Sequence, residues 1–486
     1  MYKILLITLY APLVGAFILF FIPNNDIFLI RNIGLTSSFI SLLGSVFLLL
    51  QFDYINNNFQ FCYCLSNYLI KFFFLQFILG IDGFSLIFIL LTTFIIPLCL
   101  WSSLNKKIIF LNFYVAFFLL LEFSILGAFF SLDLLLFFIF FEIILIPMIF
   151  LIGIWGSTFK KIRATYLFLL YTAFGSIFLL FAIFLILLEK KTTNFYFLFY
   201  NTFFFKEEKQ LILWFFFFIG LAVKIPIFPL HVWLPEAHVE ASTEGSIILA
   251  SLLLKLGGYG FFRTSLPLCY NIMFDILPLV FTFCLFGLIF CSFIALRQND
   301  LKKIIAYSSV AHMSLVVLSI FSNNVQGIQG SIFLMVGHAL SSSGLFFLVG
   351  CLYDRHKIRL LNYYGGLLQI MPIFSFYFFI FTLTNFSFPG TCNFIGEILI
   401  LIGIFEINIF VMFISGLCGL LTTSYSIWLF NKLIFGTLKF NYIKYYSDLK
   451  FWELEIIFYF FILIIILGFK PNYILNITYY NVLTLY

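Results

Sequence analysis

The sequence predicts an all-α, polytopic membrane protein with about fourteen transmembrane helices. Of its 486 residues, 64% are hydrophobic and only 9% are charged, whereas an average soluble domain carries about 25% charged residues. Long uncharged runs recur from one end to the other, and the first has the pattern of a retained helix rather than a cleaved signal peptide. The net charge of +6 lies mostly in short loops, and no nucleic-acid-binding patch is visible.

Runs of roughly 20 apolar residues define the predicted spans. They cover residues 3–22, 31–51, 82–101, 109–129, 133–153, 163–188, 211–233, 246–264, 276–296, 303–321, 329–351, 370–406, 411–435 and 452–469. Lysine and arginine are concentrated in the loops after odd-numbered spans. The positive-inside tendency therefore predicts that these loops face the matrix or cytoplasm and that both termini lie on the other side. The longest connections, 52–80 and 189–210, are expected to pack on the surface.

Two spans are predicted to be broken helices. The seventh contains Pro226 and Pro229 just after Lys224, and the overlong twelfth contains a Phe-Pro-Gly sequence at 388–390. A proline inside a helix removes an amide donor and clashes with the preceding turn. Because freed backbone groups at membrane depth are tolerated only in protein or beside a wet cavity, each break indicates a functional site.

The two breaks fall at corresponding positions, in the fourth helix of spans 4–8 and of spans 9–13. Five-helix sets have opposite topologies, and paired broken helices are typical of the transport site in inverted-repeat transporters. We therefore expect two inverted five-helix repeats. The predicted domains are helices 1–3 in residues 1–108, a first repeat in 109–264, a second in 276–435, and helix 14 with a tail in 436–486.

Ionisable side chains inside the spans form the candidate site, since a charge at mid-bilayer costs at least a few kcal/mol. These residues are Glu122, Glu142, Lys224, Lys255, His312, His338 and Glu397. Burial generally lowers the pKa of a lysine and raises that of a glutamate, whereas pairing opposes both shifts. A pair such as Glu142 with Lys224 therefore suits a proton relay, because breaking it changes proton affinity.

Structural roles are the alternative for these residues. The Glu142–Lys224 pair and Glu122 could simply hold helices together, and Lys255 could extend toward a helix end. The two histidines could hydrogen-bond across helices. Gly257-Gly258 and the segment 341–344 predict close helix contacts. Side chains beyond the break of span 7 are expected to be mostly solvated or interfacial: His231, Glu236, His238, Glu240 and Glu244.

The sequence shows no cofactor or metal motif: no phosphate-binding glycine loop and no haem or iron–sulfur spacing. The nine cysteines are scattered, and the close pair Cys62 and Cys64 lacks C-x-x-C spacing. Free thiols are the expected state. The 76 phenylalanines are typical of an AT-rich, organellar gene.

Several segments resemble the antiporter-like membrane-arm subunits of mitochondrial NADH:ubiquinone oxidoreductase (respiratory complex I). They are SLDLLLFFIFFEIILIPM (131–148), GIWGSTFKKIRATYLFLLYT (153–172), VKIPIFPLHVWLPEAHVEA (223–241), LLLKLGGYGFFR (252–263), LRQNDLKKIIAYSSVAHMS (296–314), GHALSSSGLFFLVGCLYDRH (337–356) and NFIGE (393–397). The resemblance runs from about residue 80 to residue 435. The LIPM, PEAHVEA and YDRH segments are most similar to the subunit 4 type.

The resemblance implies roles for individual residues. The glutamate of the F-E-x-x-L-I-P-M motif falls on Glu142, the broken-helix lysine on Lys224, the lysine of span 8 on Lys255 and the glutamate of N-F-x-G-E on Glu397. In this family they form a central hydrophilic axis that carries protons. The same resemblance adds His312 and His338 to that axis.

One segment departs from the family pattern. The family usually has A-P-T-A-G after HVE, whereas this chain has Ala-Ser-Thr-Glu-Gly at 241–245. Loss of the proline is expected to loosen the start of span 8. Glu244 is expected to add a charge at its mouth.

The expected function is proton translocation in the inner mitochondrial membrane, coupled to redox chemistry elsewhere in complex I. The resemblance implies no cofactor in this chain; NADH, FMN, iron–sulfur clusters and ubiquinone are expected in other subunits or at their interfaces. It also implies contacts with other membrane-arm subunits, including neighbouring antiporter-like subunits, and with lipids such as cardiolipin. The alternatives are a redox-independent sodium/proton antiporter and a structural spacer of the membrane arm.

Overall fold

The computed structural model describes residues 2–65, 77–104, 106–200, 205–439, 442–443 and 445–483, which are mainly helical. The elements up to Lys224 are α1 (Tyr2–Phe21), α2 (Ile27–Gln51), β1 (Gln60–Leu65), β2 (Phe77–Ile81), α3 (Gly83–Leu104), α4 (Leu111–Phe130), α5 (Leu134–Ile143), α6 (Leu145–Gly153), α7 (Lys161–Lys190), α8 (Phe195–Tyr200) and α9 (Glu207–Lys224).

The second part of the chain begins with short helices around the first break. The elements are α10 (Trp233–Glu240), α11 (Thr243–Ile248), a π-helical turn (Leu249–Leu253), α12 (Leu254–Arg263), α13 (Ser265–Leu268), α14 (Met273–Arg297), α15 (Leu301–Ile320), α16 (Val325–His356), α17 (Pro372–Asn385), α18 (Cys392–Ile407), α19 (Ile409–Ile434), α20 (Phe451–Phe469) and α21 (Asn472–Leu483). Short 3₁₀ turns lie at Tyr270–Ile272, Leu361–Tyr363 and Leu367–Gln369.

Within the described residues, twelve helical stretches are long and apolar enough to cross a membrane. They correspond to the predicted spans other than the seventh and the twelfth. The seventh is broken after Lys224, between α9 and α10, and the twelfth is divided into α17 and α18. Prolines lie in both interruptions, because proline cannot continue the helical hydrogen-bond ladder.

Two helix irregularities were not expected from the sequence. Span 5 divides into α5 and α6 at Ile144; Pro147 has no N–H to donate to the carbonyl of Ile143. Span 8 contains the π-helical turn, a wide turn that is frequent at functional sites. The first irregularity lies beside Glu142 and the second just before Lys255.

The chain forms two compact units, each with its own core. The first comprises Met1–Lys224, Lys255–Ile276 and Asn476–Tyr486, and the second comprises Ile225–Leu254 and Leu277–Leu475. In the first unit α1 packs on α2 and α4, and α9 packs on α7; in the second α16 packs on α15 and α18. The domain boundaries and inverted repeats inferred from the sequence stay predictions.

The prediction that both long connections lie on the surface is wrong for parts of each. Strands β1 and β2 pair antiparallel; Leu79 is fully buried and Phe52 is 5% exposed. In the other connection, Phe195 and Leu198 are buried. These large apolar side chains gain more from burial than from exposure to water. The rest of the expectation, for 66–76 and 201–204, lies outside the described residues.

Candidate functional site

Lys224 and Glu142 form the first candidate site, in the first unit. Lys224 is the last residue of α9, and its side chain is 7% exposed. Its ammonium interacts electrostatically with the carboxylate of half-buried Glu142, which also interacts with the hydroxyl of Ser176 on α7. One oxygen of Glu142, Oε1, has no hydrogen-bond partner within the described part of the chain. The pair is therefore incompletely satisfied, and the carboxylate can still accept a proton or a water hydrogen bond.

Close packing of two glycines brings α7 against α9 beside this pair. A Cβ atom on Gly220 would lie 3.0 Å from the carbonyl oxygen of Gly175, and one on Gly175 would lie 3.0 Å from Cβ of Val223. Small residues allow helix backbones to approach in this way. Gly175 precedes Ser176, so the contact positions the hydroxyl that faces Glu142.

Lys255 is the second buried lysine and has no exposed surface. It lies in the first turn of α12, directly after the π-helical turn. Tyr259 and Arg263 follow at four-residue intervals, and residues with this spacing share one face of a helix. The two later residues belong to a polar network that the sequence did not reveal.

That network centres on a buried ion pair. Arg263 Nη2 lies 2.5 Å from Asp82 Oδ1, and both side chains are less than 5% exposed. Arg263 Nε donates to the Tyr259 hydroxyl at 2.8 Å, and that hydroxyl donates to the carbonyl of Phe129 at 3.3 Å. Asp82 Oδ1 also accepts from the amide of Ser85. The network therefore ties α12 to the start of α3 and the end of α4.

Glu122 occupies a separate position. It is fully buried on α4, and one of its oxygens accepts a hydrogen bond from Ser41 on α2. Its other oxygen, Oε2, has no hydrogen-bond partner among the described residues. Glu142 is the electrostatic partner of Lys224, whereas Glu122 contacts Ser41 on the N-terminal helix α2.

His312, His338 and Glu397 form the second candidate site, in the second unit. His312 Nδ1 on α15 lies 3.4 Å from Glu397 Oε1 on α18, and the rings of His312 and His338 are 5.5 Å apart. Both histidines are almost completely buried, whereas the Glu397 side chain is 19% exposed. His312 Nε2 has no hydrogen-bond partner in the ranges that the structure describes. The three side chains thus offer adjacent groups that can take up and release a proton.

A cavity of about 50 Å³ adjoins this site. Its polar lining includes His312, Glu397, Ser415 and Thr422. The two hydroxyls donate to carbonyls of their own helix, α19, which leaves them to act as acceptors toward the cavity. A water needs about 10–15 Å³ of such volume and two to four polar partners. The cavity can therefore hold more than one water next to Glu397.

Close helix packing also fixes Glu397. A Cβ atom on Gly396 would lie 2.8 Å from the backbone nitrogen of Leu334 on α16. At the start of α18, Asn393 Nδ2 donates to Ser341 at 3.3 Å and to the carbonyl of Thr384 at 2.8 Å. The second of these bonds spans the break between α17 and α18. The broken element is thus a defined structure that presents Glu397 one turn beyond it.

The expectation that most side chains beyond the break of span 7 are solvated is wrong for four of the five. Glu236 keeps 32% of its side chain exposed and pairs with Lys303 at 3.0 Å. The others are buried to 7% exposure or less: His231, His238, Glu240 and Glu244. The imidazole of His238 stacks on Phe346, with ring centroids 4.7 Å apart. Burial of these side chains results from tertiary packing, which sequence position alone does not show.

Two basic side chains hold the C-terminal end of α10. Buried Lys302 Nζ donates to the carbonyl of Ala241 at 2.8 Å. Arg359 donates to the carbonyl of Val239 and lies 3.9 Å from Glu240. Cations at a helix C-terminus satisfy its free carbonyls and complement its dipole. In the sequence, basic residues of this kind indicated only the orientation of the chain in the membrane. In the structure, Lys302 and Arg359 also shape the connection between α10 and α11.

At the segment 241–245, where the chain departs from the family pattern, a serine cap stands in place of the usual proline. The Ser242 hydroxyl accepts from the amide of Gly245 at 3.2 Å and caps α11. Glu244 lies in the first helical turn and is 2% exposed, so the side chain predicted at the mouth of span 8 lies at its start, inside the protein. A carboxylate is favoured in a first turn by the helix dipole.

Other residues near the candidate sites escaped the sequence analysis. Tyr425 on α19 is 1% exposed, and its hydroxyl faces Glu397, Ser308 and Asn385. Asp82 and Arg263 are far apart in sequence and lie at predicted span ends, where charges are common. Within the described residues no group of three or more His, Cys, Asp or Glu could hold a metal ion.

Comparison with known proteins shows which family the chain matches. Residues 131–423 match the family described as NADH:quinone oxidoreductase/Mrp antiporter, TM. NADH-ubiquinone oxidoreductase chain 4 of Arabidopsis thaliana is 48% identical, over 96% of this chain and 93% of that protein. The chain 4 of Chondrus crispus is 46% identical, over 97% and 95%.

A solved structure agrees with the sequence matches. In the structure of respiratory complex I from Thermus thermophilus with bound NADH, one chain is 25% identical, with a TM-score of 0.88 and 99% of each chain covered. The long match to curated relatives and the shared fold lead to one assignment. The chain belongs to the NADH:quinone oxidoreductase/Mrp antiporter family and, within it, to the NADH-ubiquinone oxidoreductase chain 4 group.

Proposed function

We propose that this multi-pass membrane protein is a proton-translocating subunit in the membrane arm of respiratory NADH:ubiquinone oxidoreductase, in the mitochondrial inner membrane. The observation that carries the proposal is the pair of buried Lys224 and half-buried Glu142 at a broken helix. Ionisable groups at membrane depth are costly and typically mark ion pathways. The names of the relatives, and the nearly full-length match to them, support the proposal that the chain is a subunit of this enzyme.

The proposed cycle begins at the first site. A signal from a neighbouring subunit brings a proton to Glu142 or changes its distance from Lys224. Lys224 then exchanges a proton with Lys255. Both lysines are buried in the first unit, so the proposed exchange takes place away from bulk solvent.

The second site completes the proposed path. His312 and His338 pass the proton by successive uptake and release at their ring nitrogens, and Glu397 accepts it beside the small cavity. Movement of one charge against the membrane potential costs about 2.3 kcal/mol per 100 mV. Each unit of pKa change corresponds to about 1.4 kcal/mol. A change in pairing that shifts a pKa by a few units therefore supplies a free energy comparable to this cost. Oxidation of NADH and reduction of ubiquinone are assigned to other subunits.

The roles of individual residues follow from this cycle. Glu142 is the switch, the two lysines carry the proton, the two histidines relay it and Glu397 controls its exit. Glu122, which contacts Ser41 on α2, is proposed to brace α4 against the N-terminal helices. Its carboxylate is not required as a proton carrier.

Two measurements test the function. Native electrophoresis with an NADH-oxidation stain should show this chain in a very large, stain-positive assembly; a small, stain-negative assembly would indicate a redox-independent antiporter. In the assembled enzyme, Lys224→Met should lower the number of protons pumped per electron while NADH oxidation continues. An unchanged proton-to-electron ratio would favour a structural spacer and contradict the proposal.

A further inference from the structure

The ammonium of Lys224 has a second partner besides Glu142. Lys224 Nζ lies over the ring of Phe141, 4.1 Å from its centroid. A cation within about 6 Å of a ring face is attracted by the negative face of the π-system, and this attraction is stronger where water is excluded. Phe141 is 1% exposed and Lys224 is 7% exposed. The contact is therefore dry, and it does not depend on the charge of Glu142.

The ring of Phe141 is held in place by its own neighbours. Its centroid lies 5.6 Å from that of Phe137, which lies 6.1 Å from that of Tyr259. Arg263 fixes the Tyr259 hydroxyl through a 2.8 Å hydrogen bond and is itself fixed by Asp82. A ring with such support keeps its orientation when the charge of a neighbour changes.

The position of Lys224 on its helix adds a further charge-independent support. Lys224 ends α9, and the negative end of a helix dipole favours a cation. Pro226 cannot donate to the carbonyl of Ala222, which leaves that oxygen facing the end of the helix. Phe141 and the helix end cannot take up a proton, whereas the carboxylate of Glu142 loses its charge when a proton arrives.

We propose that Phe141 is a positioning residue that holds the Lys224 ammonium while Glu142 is protonated. The inference rests on the proposed proton-translocating function and adds one step to it. A proton that binds the Glu142 carboxylate converts it to a neutral acid, and Lys224 stays charged above the ring. The lysine then delivers its own proton onward instead of losing it back toward Glu142. Without the ring, the neutralised pair would leave a buried cation poorly stabilised.

The alternative is that Phe141 merely fills space in the core. Phe140 offers a matched control, because it lies on the same helix, is 5% exposed, and packs its ring against Phe123 on α4 with centroids 5.6 Å apart. Replacement by leucine removes a ring of the same size at either position. A packing role predicts similar effects of the two substitutions, whereas a cation–π role predicts a specific effect at Phe141.

The test compares proton-to-electron ratios in assembled enzyme reconstituted into vesicles. We expect Phe141→Leu to lower the ratio nearly as far as Lys224→Met, Phe141→Tyr to keep it near that of the unmodified enzyme, and Phe140→Leu to lower it much less. Tyrosine is informative because it keeps the ring face. The amount of stain-positive complex on native gels monitors assembly, and Phe141→Met replaces Phe141→Leu where that variant fails to assemble.

The possible results separate the two proposals. Equal losses in Phe141→Leu and Phe140→Leu, a normal ratio in Phe141→Leu, or no advantage of Phe141→Tyr over Phe141→Leu would each overturn the role of the ring. If Lys224→Met itself leaves the ratio unchanged, the proposed function fails as well. If Lys224→Met lowers the ratio but one of the three results at Phe141 is found, only the role of Phe141 is overturned.

Discussion

Arg263 and Asp82 form a 2.5 Å ion pair although 181 residues separate them in the sequence. The aspartate also accepts the amide of Ser85 at the start of α3. The arginine lies two turns after Lys255, on the same helix. The pair therefore fixes the helix that carries the second buried lysine, and its two charges depend on each other for compensation.

Removal of one partner of this pair should be more harmful than removal of both. Arg263→Met leaves a buried carboxylate without its cation, a change that costs about 3–5 kcal/mol. The double variant with Asp82→Asn should recover much of this stability, because asparagine can still accept the amide of Ser85. Thermal inactivation and the yield of assembled complex measure the effect. A double variant no more stable than Arg263→Met would contradict the interpretation.

Glu397 should matter for pumping through its charge rather than its size. Glu397→Gln keeps the side-chain volume but removes the acid next to His312, so we expect fewer protons per electron with NADH oxidation retained. Glu406→Gln is the matched control, because Glu406 lies on the same helix and is exposed. Proton-to-electron ratios in vesicles provide the measurement. Similar losses in both variants would argue against a specific role of Glu397.

The contact between α7 and α9 should not tolerate added volume. Gly220→Ala places a methyl group 3.0 Å from the carbonyl oxygen of Gly175, and overpacking of this kind typically costs about 1–3 kcal/mol. We expect lower thermal stability together with a lower pumping ratio, since the displaced helices carry Ser176 and Lys224. Gly153→Ala is the control, because its new Cβ would meet Thr165 at an ordinary 3.4 Å. Equal stability of the two variants would show that the helices separate without cost.

The sequence predicted those features that depend on local chemistry. Apolar runs located the helices, and Pro226 and Pro389 located the breaks, because a missing amide donor acts at its own position. The candidate residues were visible as charges in apolar surroundings, although their roles stay predictions. The ion pair of Arg263 with Asp82 was not visible, because pairing over such a distance is decided by tertiary packing. Burial of His238 and Glu240 was missed for the same reason.

The adjacent residues Lys302 and Lys303 allow the function of the α10 connection to be tested. Lys302 is 2% exposed and donates to the carbonyl of Ala241, whereas Lys303 is 28% exposed and pairs with Glu236. Lys302→Met leaves a buried carbonyl without this donor, which costs about 1–3 kcal/mol. Lys303→Met removes a partly exposed pair, which is worth about 0–1 kcal/mol.

The two lysine variants should therefore differ in stability and in pumping. Lys302→Met is expected to lower the thermal inactivation temperature and the proton-to-electron ratio, because the end of α10 and the capped start of α11 lose their anchor before Lys255. Lys303→Met should change neither quantity appreciably. If both lysines served only to orient the chain in the membrane, the two variants would behave alike, since each removes one positive charge from the first turn of α15. A selective effect of Lys302→Met would assign Lys302 a part in shaping the broken helix.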